Sequence, residues 1–269
     1  DRSGSLTDGR VEGAGRPPPR ARPHGRLPPC LRSLLPLHSA SMRRLPAVLP
    51  ATLFLAACAS VPAEADWQPL FPQDGVPAGW RVTAWKDLAL APPEGAHWAV
   101  EDGVLTSRGA RGTWLVSEAE YGDLELEYEF KLGPRGNSGL ALRSPAAGDP
   151  AFDGLELQMA DLRYNPEAKP SELTGGLYRA VAPLEQAYLP EQWNRMQVRL
   201  DGSHIHARLN GTLILDHDLD AEHAEIPRHD GTMASPLRDR PRLGHIGFQE
   251  LSRGGDHVLV RGARLRVLD

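Results

Sequence analysis

The sequence predicts an all-β domain, a β-sandwich or jelly roll, and three observations carry that prediction. Hydrophobic residues recur with period two, turn dipeptides separate the alternating runs, and no window of a dozen residues holds a helical stripe. The clearest run is Asp123–Phe130, which puts Leu124, Leu126, Tyr128 and Phe130 on one face and acids on the other. Leu155–Met159 alternates likewise, as do Met196–Leu200, Ile205–Leu209 and part of Val258–Val267. Between the runs fall Glu101-Asp102-Gly103, Gly133–Gly136, Asp201-Gly202, Asn210-Gly211 and Gly254-Gly255, sequences suited to tight reversals. Strands at such short spacing stack into two sheets. The long non-periodic stretches Asp161–Pro190 and Asp216–Pro241 are predicted to be loops over one face, and loops of that length in a compact domain tend to carry function.

The 269 residues hold 30 Lys and Arg against 35 Asp and Glu, with 27 Gly, 25 Pro and two Cys. Two cysteines exclude a disulfide scaffold. The N-terminal quarter differs from the rest. Residues 1–41 are rich in Arg and Pro without periodicity, so they cannot bury enough apolar surface to offset their ordering entropy, and they are expected to be upstream translation rather than part of the working protein. Residues 42–57 then read as an export signal: Met42-Arg43-Arg44, the apolar run 45–57, and small residues at its end. Leu55-Ala56-Ala57-Cys58 has the form of a bacterial lipobox, which makes Cys58 the expected lipidation site, with 58–65 as a linker. The expected location is therefore the cell envelope, exported and lipid-anchored, on the periplasmic side of the outer membrane. Removing the nine Arg, two Asp and one Glu of residues 1–57 leaves 21 basic residues against 32 acidic ones. So acidic a domain is a poor partner for nucleic acid, and any membrane attachment must come from acyl chains rather than a basic patch.

Alternation also selects candidate site residues. Opposite the apolar Leu140 and Leu142, Arg143 is predicted to project with Gly139 and Ala141. Opposite Leu155, Leu157 and Met159, Glu156 and Gln158 project together. Guanidinium, carboxylate and amide groups on one face suit vicinal hydroxyls, as in sugars. The pattern alone equally describes an exposed Arg–Glu pair of little energetic consequence. His204-Ile205-His206 places two imidazoles on one strand face, which makes His206 a rival proton acceptor. Asp216, His217, Asp218, His223 and His229 could hold a divalent cation in a loop, although no diagnostic ligand spacing supports it and no other cofactor is implied. Trp98 and Trp193 read as core residues. Trp80, Trp85 and Trp114 could stack on a sugar ring, and Tyr178, beside Gly175 and Gly176, is the best aromatic platform. Asn194 and Gln249 sit at strand boundaries, where Asn194 reads as a backbone cap.

The order DWQPLF, GW, HWAVEDGVL, YGDLELEYEFKL, NSGLALR, GLELQM, GGLY, QWN, LNG, GFQ and a terminal basic run resembles the 3-keto-disaccharide hydrolase domain family over residues 66–269. The resemblance implies a concanavalin-like jelly roll as a single domain and an oxidised, 3-keto disaccharide or glycoside as partner. It also implies a mechanism in which a ketone at C3 acidifies the C2 hydrogen, a base removes it, the C1 glycosidic bond breaks by elimination, and water adds to the product. On that basis Glu156 is expected to act as base and Arg143 to face the enolate, with Asn137, Gln158, Tyr178 and Gln249 holding the sugar. A non-catalytic, lectin-like sugar-binding lipoprotein is the competing class, since one fold serves both. Two positions depart from the family pattern: Leu155 stands where an aromatic is usual, and Val260-Arg261-Gly262 replaces a terminal FRN.

Overall fold

The computed structural model describes residues 66–268 apart from Asp256. The expectations placed on residues 1–65, including the export signal, Cys58 and the linker, lie outside the described residues. The strands are β1 (Gln68–Pro69), β2 (Trp80–Ala84), β3 (His97–Glu101), β4 (Val104–Arg108), β5 (Thr113–Tyr121), β6 (Leu124–Lys131), β7 (Asn137–Ser144) and β8 (Leu155–Ala160). They continue as β9 (Asn194–Asp201), β10 (His204–Leu209), β11 (Thr212–Asp218), β12 (Ile226–Pro227), β13 (Met233–Ala234), β14 (Gly244–Glu250) and β15 (Leu259–Val267). One sheet runs β11-β10-β9-β6-β15-β4-β3, with β1 added on β15; the second runs β2-β5-β14-β7-β8. Pairing is antiparallel throughout both sheets, and together they form the β-sandwich of jelly-roll type that the alternation predicts.

Period two decides which residues meet between the sheets. Leu124, Leu126, Tyr128 and Phe130 of β6 are all buried, facing Leu140 and Leu142 of β7, Leu155, Leu157 and Met159 of β8, and Phe248 of β14. Full burial of side chains this size contributes roughly 1.5–3 kcal/mol each, so one strand supplies a sizeable share of the driving force. The opposite face of β6 carries Glu125, Glu127 and Glu129, which pair with arginines of the flanking strands: Arg195 and Arg199 on β9, Arg261, Arg264 and Arg266 on β15. The terminal basic run thus neutralises an acidic ladder. Trp98 is core, as expected, but Trp193 is only half-buried, with the Arg261 guanidinium 4.0 Å over its ring.

The turn signals act as read. Asp102-Gly103 and Asn210-Gly211 both take positive φ at both positions, the conformation a two-residue hairpin needs. Asp161–Pro190 is loop apart from a 3-10 turn and isolated bridges, whereas Asp216–Pro241 also includes the end of β11 and the small hairpin β12–β13. The single α-helical turn among the described residues, α1 (Pro150–Asp153), precedes β8.

Candidate active site

The face of the five-stranded sheet turned away from the core carries a second, smaller apolar cluster: Trp114 and Val116 of β5, Ala141 of β7, and Leu88, with Trp85 packed against it. Beside this cluster Glu156 and Gln158 project from β8. The cross-strand pairs are Gly139 with Gln158 and Ala141 with Glu156. The absence of a side chain at Gly139 makes the site possible, because a Cβ there would lie 2.0 Å from Glu156 Oε1.

A segment laid along β8 then brings in the aromatic wall. Gln158 N–H donates to Gly176 O, Gly175 N–H to Gln158 O, and Tyr178 N–H to Glu156 O, each at 2.9 Å. Gly176 leaves no room for a side chain, since a Cβ would come within 2.9 Å of two carbonyl oxygens, those of Ser171 and Val181. Tyr178 therefore stands next to Glu156, and its hydroxyl lies 3.5 Å from His229 Nε2.

The third contribution is the turn before β8. Asp149 caps α1, its Oδ1 accepting from Ala151 N–H at 3.1 Å, with Pro150 at the first helical position. This turn is clamped from the second long loop. Arg228 makes two bonds to the Asp153 carboxylate, at 3.1 and 2.5 Å, and Arg240 donates to Ala151 O and Gly154 O at 3.0 and 2.8 Å.

These pieces enclose a recess of about 30 Å³, the size of one water, lined by Glu156, Gln158, Asn137, Gln249, Asp149, Trp85, Tyr178 and His229, with Ala151 and Leu251. Two larger hollows open beside it. A cleft of about 500 Å³ shares Trp85, Asn137, Tyr178 and His229 with the recess. A hollow of about 380 Å³ shares Trp85, Asp149 and His229. The two hollows meet over the recess, since each shares Trp85 and His229 with it.

Electrostatics set the recess apart. Glu156 Oε1 and Asn137 Oδ1 are buried without a hydrogen-bond partner among the described residues, a costly arrangement retained where a ligand can complete it. Burial, and then the neighbouring charge of Asp149, hold the Glu156 pKa well above the ordinary carboxylate range. Burial likewise pushes Asp149 up to about 7, although the Ala151 N–H opposes it. His229 is shifted down by burial and by Arg179, which favours neutral imidazole. Two interacting carboxyls that share less than a full complement of charge near neutrality are equipped for acid–base chemistry.

Asn137, Glu156, Gln158, Tyr178 and Gln249, five of the residues singled out from the sequence, converge here. Arg143 does not. Its φ of +48° and the neighbouring register shift of β14 break the alternation, and the guanidinium, fully buried, turns to the far end of the sandwich. There it donates to Gly122 O (3.1 Å), Gly202 O (2.8 Å) and Asp123 Oδ1 (2.7 Å), tying together the β5–β6 and β9–β10 turns. It is a structural clamp and cannot face a ligand bound over Glu156. His206 is likewise misplaced for catalysis at this site: it lines a hollow on the outer face of the other sheet with Trp67, Glu125 and Arg199. The loop cation set does not assemble either. Asp216 pairs with His204 (2.6 Å), His217 with Glu222 (3.0 Å), and His229 stands at the recess; no group of three or more ligating side chains comes together among the described residues. Trp114 is buried and Trp80 packs on Phe71, which leaves Trp85 as the tryptophan at the site. Asn194 caps backbone as expected, bonding Leu189 N–H and two carbonyls.

Sequence reasoning missed Asp149, and it weighed His229 only as a loop ligand. Asp149-Pro150 is a legible helix-start signal, but its approach to Glu156 depends on the fold.

Residues 66–266 match the sequence pattern of the family described as 3-keto-alpha-glucoside-1,2-lyase-like domain. A crystal structure from Parabacteroides distasonis ATCC 8503, provisionally named a glycosyl hydrolase, superposes with a TM-score of 0.60 at 25% identity, covering 76% of this chain and 100% of that one. A second structure so named, from the same organism, gives 0.57 at 22% identity over 76% and 94% and shows the shared fold. No curated protein matches the chain.

Proposed function

The chain belongs to the family of 3-keto-alpha-glucoside-1,2-lyase-like domains, and from that membership we propose that it cleaves the glycosidic bond of 3-keto glycosides, with Asp149 and Glu156 as its acid–base pair. The observation that carries the reading is the buried Glu156 carboxyl, unpartnered at Oε1, on the floor of a recess that also presents Asp149. The ketone at C3 makes the C2 hydrogen acidic. Asp149, shifted to about 7, is ionised in a large fraction of molecules at neutral pH and takes that proton. Glu156, held protonated by its surroundings, gives its proton to the departing glycosidic oxygen as the C1–O bond breaks. The products are the 1,2-unsaturated 3-keto sugar and the free leaving group, and addition of water to the former completes a net hydrolysis. The amides of Asn137 and Gln249 and the Tyr178 hydroxyl supply hydrogen bonds to the ketone oxygen as it gains charge, and Trp85 offers a face to a ring. The role given to Glu156 differs from the base that the sequence suggested, because a carboxyl so strongly biased toward its neutral form is a donor.

The test uses two 3-keto glucosides, one with a sugar leaving group and one with a nitrophenolate, beside their unoxidised parents. Glu156→Gln should lose roughly 10³-fold in turnover with the sugar leaving group and under about tenfold with the nitrophenolate, which departs unaided. Asp149→Asn should cripple both substrates. Equal loss on both substrates for Glu156→Gln returns the base role to Glu156. Binding without release of product from either keto substrate identifies a sugar-binding domain and ends the enzymatic reading.

The envelope location is proposed with it. Arg43 and Arg44 ahead of the apolar run, and Cys58 at the end of the lipobox pattern, support export and lipid anchoring. Metabolic labelling with a fatty acid, lost in Cys58→Ser, is the expected result.

A further inference from the structure

Tyr164 lies in the long loop before β9, and two arginines bracket it in the 500 Å³ cleft. Arg253 sits with its guanidinium 4.4 Å over the Tyr164 ring and donates to Tyr164 O at 3.3 Å. Arg111 reaches the Tyr164 hydroxyl at 3.4 Å and otherwise donates to the backbone carbonyls of Leu251 and Ser252, at 2.6 and 2.9 Å. Neither guanidinium meets a carboxylate among the described residues. The third cleft arginine, Arg179, is neutralised by Glu172 at 2.8 Å. On the outer sheet face Arg195, Arg199, Arg261 and Arg264 each pair with a carboxylate. Arg208 on that face donates only to Gly211 O, so a guanidinium without a carboxylate is not peculiar to the cleft; what the cleft adds is two of them bracketing one aromatic ring inside a sugar-sized space of an acidic domain. Charge left open inside a ligand cavity is completed by a ligand of opposite charge, and a planar guanidinium fits a carboxylate bidentately.

We propose that this cleft selects an acidic partner sugar: the ring lying beside Tyr164 carries a carboxylate that Arg253 and Arg111 receive. The inference rests on the reading of the cleft as the substrate site, and it narrows the substrate class from 3-keto glycosides in general to those whose second sugar is a uronic or other sugar acid. The Tyr164 ring and the aliphatic stems of the two arginines give that sugar an apolar edge, while the guanidinium groups take its charge.

The experiment is a calorimetric titration of the whole protein with D-glucuronate, D-glucose and glucose 6-phosphate at low and at 0.3 M salt, none of which requires turnover. Glucuronate should bind on the order of tenfold more tightly than glucose, an advantage that added salt reduces. In Arg253→Gln the advantage should fall to about twofold, and in Arg253→Glu it should invert. Arg253 is surface-facing, so these variants keep the fold; Arg111→Lys, which retains charge but loses the fork, should give an intermediate preference. Arg208→Gln, on the outer sheet face, removes the same charge elsewhere and should leave the preference intact. Equal binding of glucose and glucuronate, or a preference that survives in Arg253→Glu, overturns the proposal. Tighter binding of the phosphate than of the carboxylate overturns the sugar-acid assignment. Failure of the lyase reading would show separately, as an acid preference in binding with no cleavage of any 3-keto substrate.

Discussion

Replacing Gly139 by alanine adds one methyl group and tests whether the position of Glu156 matters to the reaction. The added Cβ would stand 2.0 Å from Glu156 Oε1, 2.7 Å from its Cδ and 2.8 Å from its Cγ. Ordinary carbon–oxygen contact needs about 3.3 Å, so the carboxyl end must retreat by more than about 1 Å. Misplacing a reacting group by that distance costs on the order of 10²-fold in rate. Stability should respond much less. Overpacking costs about 1–3 kcal/mol, but a Glu156 pushed toward the open hollow escapes part of the burial that raises its pKa, and the two effects oppose. The assay is kcat/KM on a 3-keto disaccharide together with thermal melting, in the wild-type and Glu156→Gln backgrounds. Gly139→Ala should lower kcat/KM about 10²-fold in the wild type and have almost no effect once Glu156 is already Gln. An active Gly139→Ala protein, or an equal loss in both backgrounds, would show that Glu156 takes no part in the chemistry.

Three further predictions concern charge. If Asp149 is the base, as proposed, its ionisation admits activity: kcat/KM should rise with pH through about 7, and Asp149→Asn should remove that limb. The same shift has a stability sign: a carboxyl raised from 3.8 to about 7 favours the folded state below its unfolded value and loses that contribution as pH rises through about 7. Asp149→Asn, which keeps a capping side chain, should therefore be more stable than wild type at pH 8, by at most about 4 kcal/mol, and show no such gain at pH 4; melting curves at the two pH values check this. Arg143→Met removes the clamp between two turns and strands Asp123 and the carbonyls of Gly122 and Gly202. Because Asp123 keeps partial solvent access, the expected loss is about 2–4 kcal/mol by denaturant titration, with kcat/KM of the folded protein close to wild type. A large kinetic defect without loss of stability would return Arg143 to the active site.

The local pattern of the chain carries much of this protein. Strict alternation in Leu124–Phe130 and Leu155–Met159 determines strands and the face each side chain takes, because successive residues of an extended chain must point in opposite directions. Glu156 and Gln158 follow from that rule alone, and Tyr178 is legible through Gly175 and Gly176, the first needed for a positive φ and the second for a close approach of backbone carbonyls. Arg143 obeys the same rule on paper and breaks it in the molecule, since one positive φ beside a register shift ends the alternation, and that conformation is stabilised by partners on distant turns. Asp149 reaches the recess because the α1 turn folds it back toward Glu156 a few residues later, and His229 through loop closure far along the chain; strand periodicity encodes neither. The pKa values are furthest from the sequence: they depend on how much water the fold excludes and which charges it leaves nearby. The chain order therefore determined the sheets and their faces, whereas the convergence of two carboxyls on one recess was decided by tertiary structure, because burial and proximity are properties of the packed molecule.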